Sequence, residues 1–326
     1  MRELSAAARL PALQFTTDRS PAALLVAGEE TALLERLHLL LQVRACAALA
    51  AGRTNDAAAD LLTGLRLARL ARQLPDARAS IRVQIFLARS LQPLWEGLAA
   101  QQWTGEQLAA FQRELSTFNL LADHTSAVRR ITLFYLASWR DSGDSARALP
   151  RPGGPRSTVI REASLQPGAW QYYNCIQIHE AGERAIANVD VAGGRVRENG
   201  SWADTSGLPL DSDMVYFLQQ GAWWGAKPAM VSFAQTSLNQ AVVACALERH
   251  RLARGRYPET IEELVPAFLD RIPADTQRGR PLLYQFLSPE RFILRGVGQN
   301  GTDDRPSSTS DDWLWAYSTN APAGKQ

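Results

Sequence analysis

The last third of the chain constrains the fold most, because every piece of it is a recognisable local signal in a fixed order. From Val242 it runs VVACALERHRLARGRYPETIEELVPAFLDRIPADTQRGRPLLYQFLSPERFILRGVGQNGTDD and then DDWLWAY. Leu238, Val242, Cys245 and Leu252 recur at helical spacing, which predicts one apolar side of a helix over about 229–254. Gly255 stops that helix and Tyr257-Pro258 turns the chain, since glycine takes the left-handed cap and proline cannot continue a helix. Thr260 and Glu263 have capping-box spacing for a second short helix, with Leu264, Phe268 and Leu269 as its apolar side. Residues 282–286 and 292–294 then predict a hairpin, followed by an acidic loop and an aromatic strand. A long helix and a small antiparallel sheet must bury each other, so Leu238, Val242, Cys245 and Leu252 are expected to face Phe292 and Leu294.

The first half is helical by period. Between Thr31 and Ala51, Leu33, Leu37, Leu40, Leu41, Ala45 and Leu49 form a stripe at spacings of three and four. The stretch 52–55 breaks it, and a second helix over 56–73 carries Leu61, Leu65, Leu67, Leu70 and Ala71, stopping at Leu74-Pro75. Ala57 and Ala58 are small enough to let the two helices cross closely. Further helices are expected over about 77–100, with a kink or break at Pro93, over 104–120, started by a Thr104/Gln107 capping box, and near 124–138.

Composition then divides the chain. Residues 140–158 include RDSGDSARALPRPGGPRS, too poor in apolar surface to order itself, and read as a linker. The sequence predicts a helix over 168–187 and a loop-rich stretch to 228, with Trp170, Trp202, Trp223 and Trp224 placed as a seam between the halves. The resulting division is a poorly ordered segment 1–29, a helical-hairpin stack 30–139, the linker 140–158, a Trp-containing connector 159–230, an α+β module 231–317 and a tail 318–326. The fold class is mostly α, a helical-hairpin stack, with a small C-terminal α+β module of a long helix and a short antiparallel sheet. Hydrophobic residues make up 46% of 326 residues, enough for a sizeable core.

Charge and motifs exclude several kinds of chemistry. The 35 basic and 33 acidic residues leave a net charge of +2, which gives no bulk electrostatic case for nucleic acid. No run reaches the ~18 apolar residues of a membrane span. The start MRELSAAARLPALQF lacks the apolar stretch of a signal peptide. The expectation is therefore a cytoplasmic protein, or a periplasmic or envelope one if an export segment lies upstream. Cys46, Cys175 and Cys245 are odd in number and imply no disulfide framework. Four isolated histidines lack zinc-helix spacing, and neither G-x-S-x-G nor a P-loop occurs. Gly296, Gly298 and Gly301 fit G-x-G-x-x-G after a strand, but TDDRPSSTSDD cannot begin the phosphate-binding helix and too little chain follows. What remains is a loop of hard oxygen ligands, Asn300, Asp303, Asp304, Asp311 and Asp312, of the kind calcium prefers, without EF-hand spacing.

Three resemblances follow from these residues. ALERHRLARGRYPETIEELVP, GVGQNGTDD and DDWLW make residues 231–317 resemble the periplasmic domain of the major pseudopilin of type II secretion. That resemblance implies calcium in the acidic loop, with Asp311 and Asp312 as the terminal acidic pair and Asn300 where an aspartate usually stands, a weakened site. The 230 residues ahead of the module are not the apolar stem of a pseudopilin, so pilus assembly is not implied. AALAAGRTNDAAADLLTGLRLARLARQLP resembles one tetratricopeptide repeat, which implies a protein or peptide partner on the stack. The whole arrangement is similar to a group of uncharacterised bacterial envelope proteins. These likenesses favour a non-enzymatic scaffold or interaction protein of the cell envelope. The rivals are an enzyme with its site in the Trp-rich seam and a cytoplasmic helical adaptor.

Overall fold

The structure is a computed structural model that describes residues 2–10, 29–74, 79–142, 176, 179–180, 182–184, 186–197, 228–298, 303 and 313–316. It is mostly α with a small C-terminal α+β part. The helices are α1 (Arg2–Ala7), α2 (Glu29–Ala50), α3 (Thr54–Ala71), α4 (Ala79–Ala99), α5 (Gly105–Leu115), α6 (Leu120–Ser142) and α7 (Pro228–Arg254). The strands are β1 (Val189–Asp190), β2 (Arg195–Val196), β3 (Ala274–Asp275), β4 (Arg280–Pro281), β5 (Leu283–Ser288), β6 (Arg291–Gly296) and β7 (Trp313–Ala316). β1–β2 and β3–β4 are two-stranded, and β5–β6–β7 forms an antiparallel sheet in sequence order.

Local signals set the helix ends. Gly52 takes a φ of +70°, its N–H donates to the Leu49 carbonyl at 2.9 Å and Arg53 N–H to that of Ala48 at 2.8 Å, a Schellman close that turns α2 back into α3. Ala57 and Ala58 are buried in the α2–α3 packing. Thr104 caps α5 through a full capping box: Gln107 N–H donates to Thr104 Oγ1 at 3.2 Å and Thr104 N–H to Gln107 Oε1 at 3.0 Å. Asn119 Oδ1 accepts from Ala122 N–H at 3.0 Å and starts α6.

Several expectations are corrected. α4 runs unbroken through Pro93, because Phe86, Leu87, Leu94 and Leu98 on both sides of it are buried and that packing outweighs the ~3 kcal/mol cost of a lost helical bond. The helix expected over 104–120 ends at Leu115, and the next one spans Leu120–Ser142, reaching into the stretch read as a linker. The segment 1–29 holds helix α1 at its start, and Ala8 is fully buried against Leu41, Leu67 and Leu70. On α2 the inward side is Thr31, Leu34, His38, Leu41, Ala45, Ala48 and Leu49, whereas Leu33 and Leu40 are exposed. The second short helix is only a 3-10 turn, Ile261–Leu264, held by Glu263 accepting from Thr260 N–H at 3.0 Å.

α7 is the axis of the core. Residues 241–247 are all buried, so this helix is apolar around its whole girth there, as a central helix must be. One side packs on α4, α5 and α6 and the other on β6 and β7, and a single cluster of buried residues joins both halves. Leu238, Val242 and Cys245 lie in that cluster with Phe292 and Leu294. Leu252, expected to join them, is 47% exposed, because the helix has run past the sheet by its last turn. By length and composition α7 is the one described helix apolar enough to cross a membrane, yet 72% of that window is buried inside the protein. Polar ends tie the halves together. Leu120 N–H donates to Gln235 Oε1 at 2.7 Å, and Gln112 Nε2 to the Phe268 carbonyl at 2.7 Å.

Candidate functional site

A polar cavity lies between α3, α4 and α6. This cavity of about 310 Å³ is lined by Arg69, Arg72, Gln73, Ser80, Val83, Asp123, Ser126 and Arg130, near the lower end of ligand-sized pockets. Helix geometry explains the arginines. In RLARLAR, Arg66, Arg69 and Arg72 repeat every third residue, while Leu67 and Leu70 between them are buried. Ser126 and Arg130 stand one turn apart on α6.

The arginines are held in different ways. Arg72 donates from Nε at 3.1 Å and Nη2 at 2.8 Å to Asp123 Oδ1, and from Nη1 to the Thr117 carbonyl at 3.3 Å, with its guanidinium 5.9 Å from the Phe118 ring centroid. Arg66 and Arg69 share Glu114, at 2.9 and 3.5 Å. Arg130 is exposed and has no ion pair among the described residues. Burial holds the Asp123 carboxyl above its ordinary range, against the pull of Arg72. Its Oδ1 orients Arg72, and its Oδ2 is shielded from solvent without a hydrogen-bond partner among the described residues. Ser80 Oγ accepts a long bond from Gln84 at 3.4 Å. Among the described residues the lining brings three guanidiniums and two hydroxyls together with the Asp123 carboxylate, three positive charges against one negative. Chemically, this arrangement attracts and orients an anion.

Of the calcium ligands expected from the sequence, Asn300, Asp304, Asp311 and Asp312 lie outside the described residues. Asp303 is described, and its Oδ1 sits 3.0 Å from Arg295 Nη1. Among the described residues no group of three or more acidic, His or Cys side chains could hold a metal. Trp170, Trp202, Trp223 and Trp224, expected to form a seam between the halves, also lie outside the described residues. Where it is described, the seam between α7 and α4–α6 is filled by core side chains.

Two buried clusters were not visible in the sequence. His38 stacks on Phe86 at 4.3 Å and meets Ser90 Oγ at 3.2 Å. Burial pushes its pKa down to about 4, helped by nearby Arg89. Both residues are buried, and among the described residues no carboxylate pairs with His38. Glu248, 2% exposed, accepts from Arg251 at 2.6 and 2.9 Å and from Tyr257 Oη at 2.8 Å, fixing the turn after α7. Their partners stand up to 52 residues apart, beyond local pattern. Cys46 and Cys245 are free thiols, and burial raises them to about 11 and about 12, away from reactivity.

No family model, no curated protein and no solved structure matches this chain.

Proposed function

We propose that this protein is a non-enzymatic interaction protein of the bacterial cell envelope, whose helical stack holds an amphipathic helix of a protein partner. The observation that carries the reading is the outer side of α2. Leu33, Leu40 and Val43 are 56%, 47% and 58% exposed, and with exposed Ala47 and Ala50 they fall at spacings of three, four and seven. Leu39, 46% exposed, widens the stripe. Such spacing matches the seam by which two helices pack, and apolar stripes of this kind mark sites that a partner covers. Arg36 interrupts the stripe and supplies a charge for register. The envelope placement rests on the resemblance of residues 231–317 to a pseudopilin domain, as does the proposal that the acidic loop takes calcium.

The test is a display selection with tiled protein fragments against the whole chain, counter-selected on a Leu40→Asp/Val43→Asp double variant. Enriched fragments with an apolar heptad stripe that lose binding to the double variant support the proposal. Fragments that bind both proteins equally, or none at all, contradict it. An enzyme would instead reveal itself by turnover that the double variant keeps.

A further inference from the structure

We infer that the arginine-lined cavity between α3, α4 and α6 is a binding site for a small dianionic oxyanion of the phosphate class. Among the described residues the cavity is lined by three guanidiniums, from Arg69, Arg72 and Arg130, and one carboxylate, that of Asp123, with Arg69 also paired to Glu114 at 3.5 Å, which leaves a net positive charge for an anion to balance. Donor chemistry points the same way. Arg130 and Ser126 line the cavity from one helix and Ser80 from another, and the one carboxylate in the lining, Asp123, is engaged through Oδ1 by Arg72. A tetrahedral oxyanion accepts from several directions at once, which suits donors on three helices better than a planar carboxylate does. Arg72, fixed by Asp123 and Thr117, forms a rigid charged wall. Arg130, exposed on α6 and in no ion pair within 4 Å among the described residues, closes on the ligand. This site is separate from the apolar side of α2 and does not depend on it.

The test uses the complete protein in calorimetric titration and thermal melting with sodium phosphate, glycerol 3-phosphate, sodium sulfate and sodium acetate at matched ionic strength. Phosphate or its monoester is expected to bind and raise the melting temperature, and the tighter of the two identifies a free or an esterified ligand. Arg130→Gln should weaken binding by about tenfold or more, the loss of one charge-assisted contact. Arg129→Gln removes the same charge from the neighbouring exposed position outside the cavity and should leave binding unchanged. No heat and no thermal shift at millimolar phosphate overturns the inference. So does equal weakening by the two variants, which would mean general attraction, or acetate binding as tightly as phosphate.

Discussion

Gly97→Ala offers a sharp probe of how the helical half is built. Trp103 folds back from the end of α4 onto the helix it has just left, 2% exposed, donating from Nε1 to the Leu94 carbonyl at 3.1 Å and meeting Phe111 edge-on at 5.0 Å. Only a glycine at position 97 leaves room. An added methyl would stand 2.5 Å from the indole Cζ2 and closer still to Cε2 and Nε1. The ring must move, and with it go its hydrogen bond and its packing on α5. Overpacking costs about 1–3 kcal/mol and the buried bond about 1 kcal/mol. Replacing a mid-helix glycine returns about 1 kcal/mol. The net expectation is destabilisation by about 2 kcal/mol, read from urea unfolding midpoints. Gly105→Ala is the control, because nothing lies within 4 Å of its added methyl, and it should be neutral or slightly stabilising. A Gly97→Ala variant as stable as the parent would refute the claim that Trp103 clamps α4 to α5.

Three further outcomes are expected. His124 is buried with Nε2 unpartnered, and burial lowers it to about 4; its stabilising effect is therefore present above the unfolded value near 6.5 and lost as pH falls toward 4, by about 2 kcal/mol between pH 7 and 5. Urea unfolding at those two pH values checks this, and the pH dependence should shrink in a His124→Gln variant. Ala58→Leu, at a position 5% exposed where α2 meets α3, should lower stability by about 1–3 kcal/mol in the same assay. Millimolar calcium should raise the melting temperature, and Asp312→Ala should remove the rise, since a cation that binds only the folded state stabilises it; a flat calorimetric titration would leave the loop without a metal role.

What the sequence disclosed, and what it hid, divides by distance along the chain. The Thr104/Gln107 box and the Gly52 and Gly255 stops were legible because each is a contact within a few residues. The α7–sheet packing was legible because Val242, Phe292 and Leu294 have a single apolar counterpart within their own module. α2 was misread because it carries apolar residues on most of its girth, so period alone cannot say which side faces in. The answer rests on Phe86 and Ser90, which hold His38 inward from about fifty residues away and leave Leu33 and Leu40 in solvent. Of the kink or break expected at Pro93, the break does not occur; the local cost was weighed without the burial around it. The anion cavity gave one local sign, the three-residue repeat of arginines in RLARLAR; its other half, Ser126 and Arg130, comes from α6 and is joined only by folding.

The central claim is that a partner helix lies along the outer side of α2. Hydrogen–deuterium exchange of the whole protein, with and without a helical peptide recovered by the selection, tests it most directly. Slowed exchange over Glu29–Ala50, absent in the Leu40→Asp/Val43→Asp variant, is the predicted result. Slowed exchange elsewhere in the chain, with α2 unchanged, would contradict it.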